Sequence, residues 1–181
     1  EGFDRLRMHV GHQLLRLGQI GRQRLLDQHM HAAANQLASH AMVRKRRRRY
    51  HGGVDFAHQV AVLGDRIIGK PHTFEKAREQ LLAASGASVT FLTGLALLNS
   101  QTGDFQVDCV PFTVHMRTLD QARIERYLRA EQPYDCAGSF KAEGLGVSLF
   151  QSTEGPDATS LIGLPLIRLI DMLLAEGVQI P

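Results

Sequence analysis

Three charged residues stand in glycine-rich settings suited to gripping a phosphorylated ligand. Lys70 lies between Gly69 and Pro71, where glycine lets the backbone approach a ligand and proline fixes the turn, so the cation can be aimed at phosphate. Lys141 and Glu143 sit two residues apart in SFKAEGLG, a cation and a carboxylate with glycines alongside. On spacing alone each also reads as a solvated turn, and a single G-K-P tripeptide is weak evidence. Cys109 and Cys136 are far apart and lack CxxC or Cys/His ligand spacing. They suggest two buried or half-buried thiols rather than a disulfide framework or a structural zinc site. His29 and His31 do not make a metal pair by spacing. The run Arg44, Lys45, Arg46, Arg47, Arg48, Arg49 could hold a polyanion, but six adjacent like charges usually stay solvated and bind such partners nonspecifically.

The elements that must position these side chains are legible from Val60 onward. VAVLGDRIIGKP predicts two short strands around a Gly64-Asp65 turn, ended by Pro71. A helix follows, with Thr73 as N-cap, Glu75 in its first turn, Ala77, Leu81 and Leu82 on an apolar face, and Gly86 as the stop. SVTFLTGLALLNS and FQVDCVPFTVHM predict two longer strands, joined by turn residues and paired antiparallel. Thr118 is the expected cap of a second helix that buries Leu119, Ile124, Tyr127 and Leu128, leaves Arg123, Arg126 and Arg129 solvated, and stops at Pro133. A Gly-punctuated loop, another strand and a last helix with Pro165 in its first turn complete an α/β arrangement.

Charge divides the chain. Residues 1–59 carry 11 basic and 4 acidic side chains and seven of the nine His, a net +7, whereas residues 60–181 carry 10 basic and 14 acidic, a net −4. The overall +3 therefore does not describe one uniformly basic binder of nucleic acid. No apolar run reaches the roughly 18 to 20 residues that span a bilayer, and no signal-peptide core opens the chain, so a cytoplasmic protein without a membrane partner is expected. The first residue is Glu rather than Met, which suggests a fragment or an uncertain gene start.

Taken in order, GDRIIGKP, ASG, FLTGLAL, VPFTVHMR, CAGSFKAEGLG and SLIGLPLIRLIDML resemble the Maf family of nucleotide pyrophosphatases, and within it the branch acting on 7-methyl-GTP. The resemblance runs from about Gln59 to Glu176. It implies a Maf-like, inosine-triphosphatase-like fold, with a central, elongated, mixed sheet flanked by helices and an atypical N-terminal segment. It also implies hydrolysis of a nucleoside triphosphate between its α and β phosphates, a divalent cation (Mg or Mn), a nucleotide as partner and a homodimer as assembly. By the same resemblance Lys70 is a phosphate ligand, Gln59 and Glu143 help choose the substrate, Lys141 is a further nucleotide contact, and His58 occupies the position of the family's aspartate base. Glu143 suits that role chemically. A carboxylate accepts hydrogen bonds from guanine N1 and N2 and complements the positive charge of N7-methylguanine.

Residues 1–58 form the contrasting segment, set apart from a Maf-like domain at 59–181. The family's S-x-S-x-R-R loop, its acidic V-D-E-like motif and its lysine-bearing helix are not found there, so no metal ligand is assigned. Imidazole, with an ordinary pKa of about 6.5, can serve as a base, but it brings no negative charge to hold a hard cation. The resemblance thus implies impaired activity. Leu14, Leu15, Leu17, Ile20, Leu25 and Leu26 could form a helix weakened by Gly18 and Gly21. Two accounts of the segment are open: a shifted reading frame, favoured by abundant Arg, His, Gln and Gly with a single Lys, or an authentic basic arm. The second makes the chain a non-catalytic protein that binds nucleic acid through residues 44–49.

Overall fold

A computed structural model describes residues 54–99 and 102–181 of the chain. The readings of residues 14–26, His29, His31 and the basic run 44–49 lie outside the described residues. Strands β1 (Val54–Leu63), β2 (Arg66–Ile68), β3 (Ser88–Leu98), β4 (Phe105–Met116) and β5 (Phe150–Glu154) join one sheet in the order β2-β1-β3-β4-β5. The helices are α1 (Phe74–Ala84), α2 (Gln121–Glu131) and α3 (Leu166–Ala175). The fold class is α/β, as expected.

The hairpin of β1 and β2 forms where the sequence places it. Leu63 pairs with Arg66 across the two-residue turn, and Gly64 takes φ 58, a left-handed conformation that costs glycine little. β4 and β5 also pair antiparallel, with Val114 opposite Thr153. Between β3 and β4, Ser88 Oγ meets His115 Nδ1 at 2.8 Å and Thr90 Oγ1 meets Thr113 Oγ1 at 3.1 Å. One index falls as the other rises, which is an antiparallel register. Where the family resemblance implies a mixed sheet, these pairings are antiparallel; the short Gly64-Asp65 turn returns the chain between β1 and β2, whereas β4 and β5 are joined through α2.

The chain divides into two compact units. One comprises Gln59–Thr93 and Pro111–Pro165. Its core gathers Ala61, Leu81, Phe91, Val114, Ile124 and Leu149, all buried. Phe140 lies at the centre of that core, edge-on to Phe91 at 5.3 Å between ring centroids and to Phe150 at 4.8 Å, a geometry aromatic quadrupoles favour. Helix α1 starts as predicted, with Thr73 Oγ1 accepting from the Lys76 N–H at 3.3 Å.

Helix α2 corrects an expectation. Its cap is Asp120, whose carboxylate accepts from the Arg123 N–H at 2.7 Å, and not Thr118. The delay has a tertiary cause. Arg117 O accepts from the Gly86 N–H at 3.0 Å, and the Leu119 N–H donates to Ser85 Oγ at 2.7 Å, so residues 117–119 are held extended against the end of α1 before the helix can begin. Ile124, Tyr127 and Leu128 are buried as expected, and Arg126 and Arg129 are exposed. Arg123 is half-buried and donates to Ser148 O at 2.7 Å.

Of the described residues, the other unit holds 54–58, 94–99, 102–110 and Leu166–Pro181. Among its described residues, Glu176 accepts from Asn99 Nδ2 and from Gln106 Nε2, each at 2.7 Å, and Arg168 pairs with Asp108. Met172 is the fully buried residue of α3. Cys109 is a free, half-buried thiol, and burial, reinforced by the Asp108 charge, pushes its pKa up to about 11. Its thiolate fraction at pH 8 is then roughly one in a thousand. Alkylation of Cys109 by iodoacetamide, followed by mass spectrometry, should accelerate about tenfold per pH unit from pH 8 to pH 10 without levelling off. A plateau near pH 9 would show an ordinary thiol there. No helix among the described residues is long and apolar enough to cross a membrane.

Candidate functional site

The four expected binding residues, Gln59, Lys70, Lys141 and Glu143, all fall in the unit built from Gln59–Thr93 and Pro111–Pro165. Lys70 is exposed on the turn that leaves β2, between exposed Gly69 and buried Pro71. Pro71 anchors the turn in the interior while the lysine head stays in water. One residue further, the His72 N–H donates to Tyr134 O at 2.9 Å, with His72 itself at φ 63.

Lys141 and Glu143 lie on the turn-rich stretch between α2 and β5. Lys141 is half-buried and Glu143 exposed. The Lys141 N–H donates to Tyr127 Oη at 3.0 Å, and Lys141 O accepts from the Gly144 N–H at 3.2 Å and the Gly146 N–H at 3.1 Å. Glu131, at the end of α2, reaches across to accept from the Leu145 N–H at 2.5 Å. The loop is therefore folded around its own backbone polar groups and tied to α2 from below, which leaves the Lys141 and Glu143 heads available. Neither head, nor that of Lys70, forms a hydrogen bond or ion pair with another described residue.

The turn that carries Lys70 is bonded, through the His72 N–H and Tyr134 O, to the segment that leads into the Lys141–Glu143 loop. The half-buried thiol of Cys136 is raised above its ordinary pKa chiefly by burial, then by the Glu143 charge, with Lys141 and Lys70 pulling it down and Asp135 adding a smaller push upward. Burial likewise raises the Tyr127 phenol, offset by the bond from the Lys141 N–H and reinforced by Glu131, Cys136 and Glu143. Cys136 and Tyr127 are the site neighbours that sequence reasoning missed. Tyr127 is legible only as a core residue, and a lone cysteine carries no signal of what surrounds it.

Gln59 is placed differently from the other three. Its Nε2 donates to Ser160 O at 2.7 Å, to Leu161 O at 3.3 Å and to Thr93 Oγ1 at 3.2 Å, and Thr93 Oγ1 donates in turn to Ser160 O at 3.1 Å. Two carbonyl acceptors fix which end of the amide points inward, because only the NH2 end can donate. The Gln59 amide nitrogen is therefore spent on holding the single turn Ala158–Ile162, which Asp157 caps by accepting from the Thr159 N–H at 3.0 Å. His58 lies in β1, and its side chain falls outside what the structure describes.

Among the described residues no group of three or more His, Cys, Asp or Glu side chains could hold a metal ion. The described residues do not by themselves fit the divalent cation that the resemblance implies.

The family model described as "Maf-like protein" matches residues 20–176. It ends where the motifs end, and it begins well before Gln59, inside the segment that the motifs alone set apart. A 7-methyl-GTP pyrophosphatase of Pseudomonas fluorescens (strain Pf0-1) is 78% identical over 159 residues, covering 88% of this chain and 77% of that protein. A protein of the same name from P. fluorescens (strain Pf-5) is 89% identical over 123 residues, covering 68% of this chain and 64% of its own length. A third, from Vibrio cholerae serotype O1, is 60% identical over 122 residues, covering 67% of this chain and 63% of that protein. The chain thus spans just under two thirds of the length of the second and third of these relatives.

Proposed function

The chain belongs to the Maf family, and on that premise we propose that it is a nucleoside triphosphate pyrophosphatase acting on 7-methyl-GTP or a related modified nucleotide. Water adds across the anhydride between the α and β phosphates, giving the monophosphate and pyrophosphate. The observation that carries the reading is that the Lys70 turn is bonded to the segment leading into the Lys141–Glu143 loop, through the His72 N–H to Tyr134 O at 2.9 Å and through Gln80, which reaches both Gly69 O and Ser139 Oγ. A cation on one turn and a carboxylate on the other suit a ligand with a polyanionic tail and a cationic base: Lys70 offsets phosphate charge, Lys141 is a further contact to the nucleotide, and Glu143 accepts from guanine N1 and N2 and complements the N7-methyl charge. The names carried by the relatives support the same substrate.

The proposal includes impaired turnover in this chain, because His58 stands where the family places an aspartate. It also includes a cytoplasmic location and a Maf-like domain at 59–181. The alternative, polyanion binding by residues 44–49, rests on their charge alone.

The reaction is tested by incubating the chain with 7-methyl-GTP and with GTP, in magnesium or manganese, and resolving the products. Equal amounts of monophosphate and pyrophosphate are expected, with 7-methyl-GTP the better substrate. Orthophosphate accompanied by a nucleoside diphosphate would place the cleaved bond elsewhere and defeat the proposal.

A further inference from the structure

We infer that Gln80 is a positioning residue that locks the Lys70 turn and the Lys141–Glu143 loop into one unit. Both ends of its amide are used. Nε2 donates to Gly69 O at 3.3 Å, and Oε1 accepts from Ser139 Oγ at 2.5 Å. Gly69 directly precedes Lys70, and Ser139 stands two residues before Lys141. The carbonyl of Gly69 fixes the orientation of the amide, since only the NH2 end can serve it, and the serine hydroxyl then turns to donate.

The bridge has a firm base and a demanding target. Gln80 projects from α1, which is seated through buried Ala77, Leu81 and Ala84. Ser139 is fully buried and has φ 63, a left-handed conformation that a non-glycine residue keeps only where its surroundings hold it. Its neighbour Gly138, at φ 75, lies so close beneath Phe91 that an added Cβ would meet the ring at 3.2 Å. Gln80 supplies the side-chain acceptor that completes this turn, and the His72 N–H bond to Tyr134 O ties the far side of the Lys70 turn to the segment before Cys136. The two charged loops are thereby joined at both margins. Side chains of similar size do not replace it: Glu cannot donate to Gly69 O when ionised, Leu can do neither, and Asn is one methylene shorter.

The ligand side of this inference rests on the pyrophosphatase reading, whereas the mechanical side does not, and the test separates them. Hydrogen exchange is followed by mass spectrometry in the full chain, in Gln80→Leu and in Ser139→Ala. Exchange at residues 69–73 and at 140–146 is expected to quicken together, by about tenfold, with α1 and the sheet unchanged. Faster exchange in one loop alone, in neither, or throughout the domain would overturn the inference, and Ser139→Ala gives the same reading should Gln80→Leu fail to fold. Binding is measured in parallel with 7-methyl-GTP, tripolyphosphate and 7-methylguanosine as separate probes. Gln80→Leu should weaken 7-methyl-GTP about tenfold while changing the two half-ligands less than about threefold, because each loop keeps its own head and loses only its registration with the other. A uniform weakening of all three would make Gln80 a plain stability residue. If the unmodified chain binds none of the probes, the pyrophosphatase reading fails, and the exchange data still decide the role of Gln80.

Discussion

Gly146→Ala is expected to cost about 3 kcal/mol of stability and to weaken 7-methyl-GTP binding at least about tenfold, while leaving tripolyphosphate binding nearly intact. A Cβ at position 146 would stand 2.3 Å from Lys141 O, 2.9 Å from Lys141 C and 3.0 Å from Lys141 N. All three are backbone atoms, so no flexible side-chain end can swing aside. Relief requires opening the loop, and that breaks the bonds by which the Gly144 and Gly146 N–H groups converge on Lys141 O and puts the Lys141 N–H bond to Tyr127 Oη at risk. Those bonds aim Lys141 and Glu143. Lys70 sits on a different turn, which is why the phosphate half of the ligand should be spared. For a domain of this size the cost corresponds to a fall in Tm of about 6 to 12 °C. Gly144→Ala is the comparison. There the clash is with the Glu131 carboxylate, at 2.5 and 2.6 Å, the far end of a flexible side chain, and the loss should be smaller. Equal melting temperatures for Gly146→Ala and the unmodified chain would show that the loop yields locally.

The positions where sequence reasoning succeeded are those decided by neighbours in the chain. The Gly64-Asp65 turn and the Thr73 cap each depend on a few consecutive residues, and both stand where expected. Thr118 fails as a cap for the opposite reason. It has the right chemistry, but Ser85 and Gly86, more than thirty residues earlier, hold the chain extended through residue 119 and pass the cap to Asp120. Gln59 makes the same point at the candidate site. Nothing near it in sequence shows that its amide will be engaged by Ser160, 101 residues away, and by Thr93, 34 residues away.

That engagement changes how Gln59 can influence a substrate. A residue whose donors are already spent on Ser160 and Leu161 acts on a ligand most directly through its acceptor end, or through the turn it holds. Lys70, Lys141 and Glu143 are unlike it. Their backbones are fastened by Pro71, Tyr127 and Glu131, while their heads stay unpaired among the described residues. Fixed stems and free charged ends are what a binding surface for a charged ligand needs, because ordering the ligand then costs little further ordering of the protein. The glycines of SFKAEGLG therefore do more than let a ligand approach. Gly146 is required by the loop's own packing.

His58→Asp is expected to raise pyrophosphate release from 7-methyl-GTP about 100-fold at neutral pH. The change converts a neutral or cationic imidazole into a carboxylate that stays ionised, since an ordinary Asp titrates near 3.9. Positioned general bases contribute about 10² to 10⁴ in rate, and a carboxylate also adds the negative charge that a hard divalent cation prefers. The exchange needs no new backbone. Residue 58 lies within β1, and Gln59 beside it is pinned by Ser160, Leu161 and Thr93, so the strand is held in place whichever side chain precedes it. His58→Asn separates base and charge from shape. It supplies neither proton acceptance nor negative charge and should stay at the level of the unmodified chain. If the unmodified chain already turns over as fast as His58→Asp, residue 58 is not limiting and the assignment of the base to this position is wrong. If His58→Asp remains silent while 7-methyl-GTP still binds, the deficit lies elsewhere than position 58, and the first candidates are the phosphate and acidic motifs that residues 1–58 do not display.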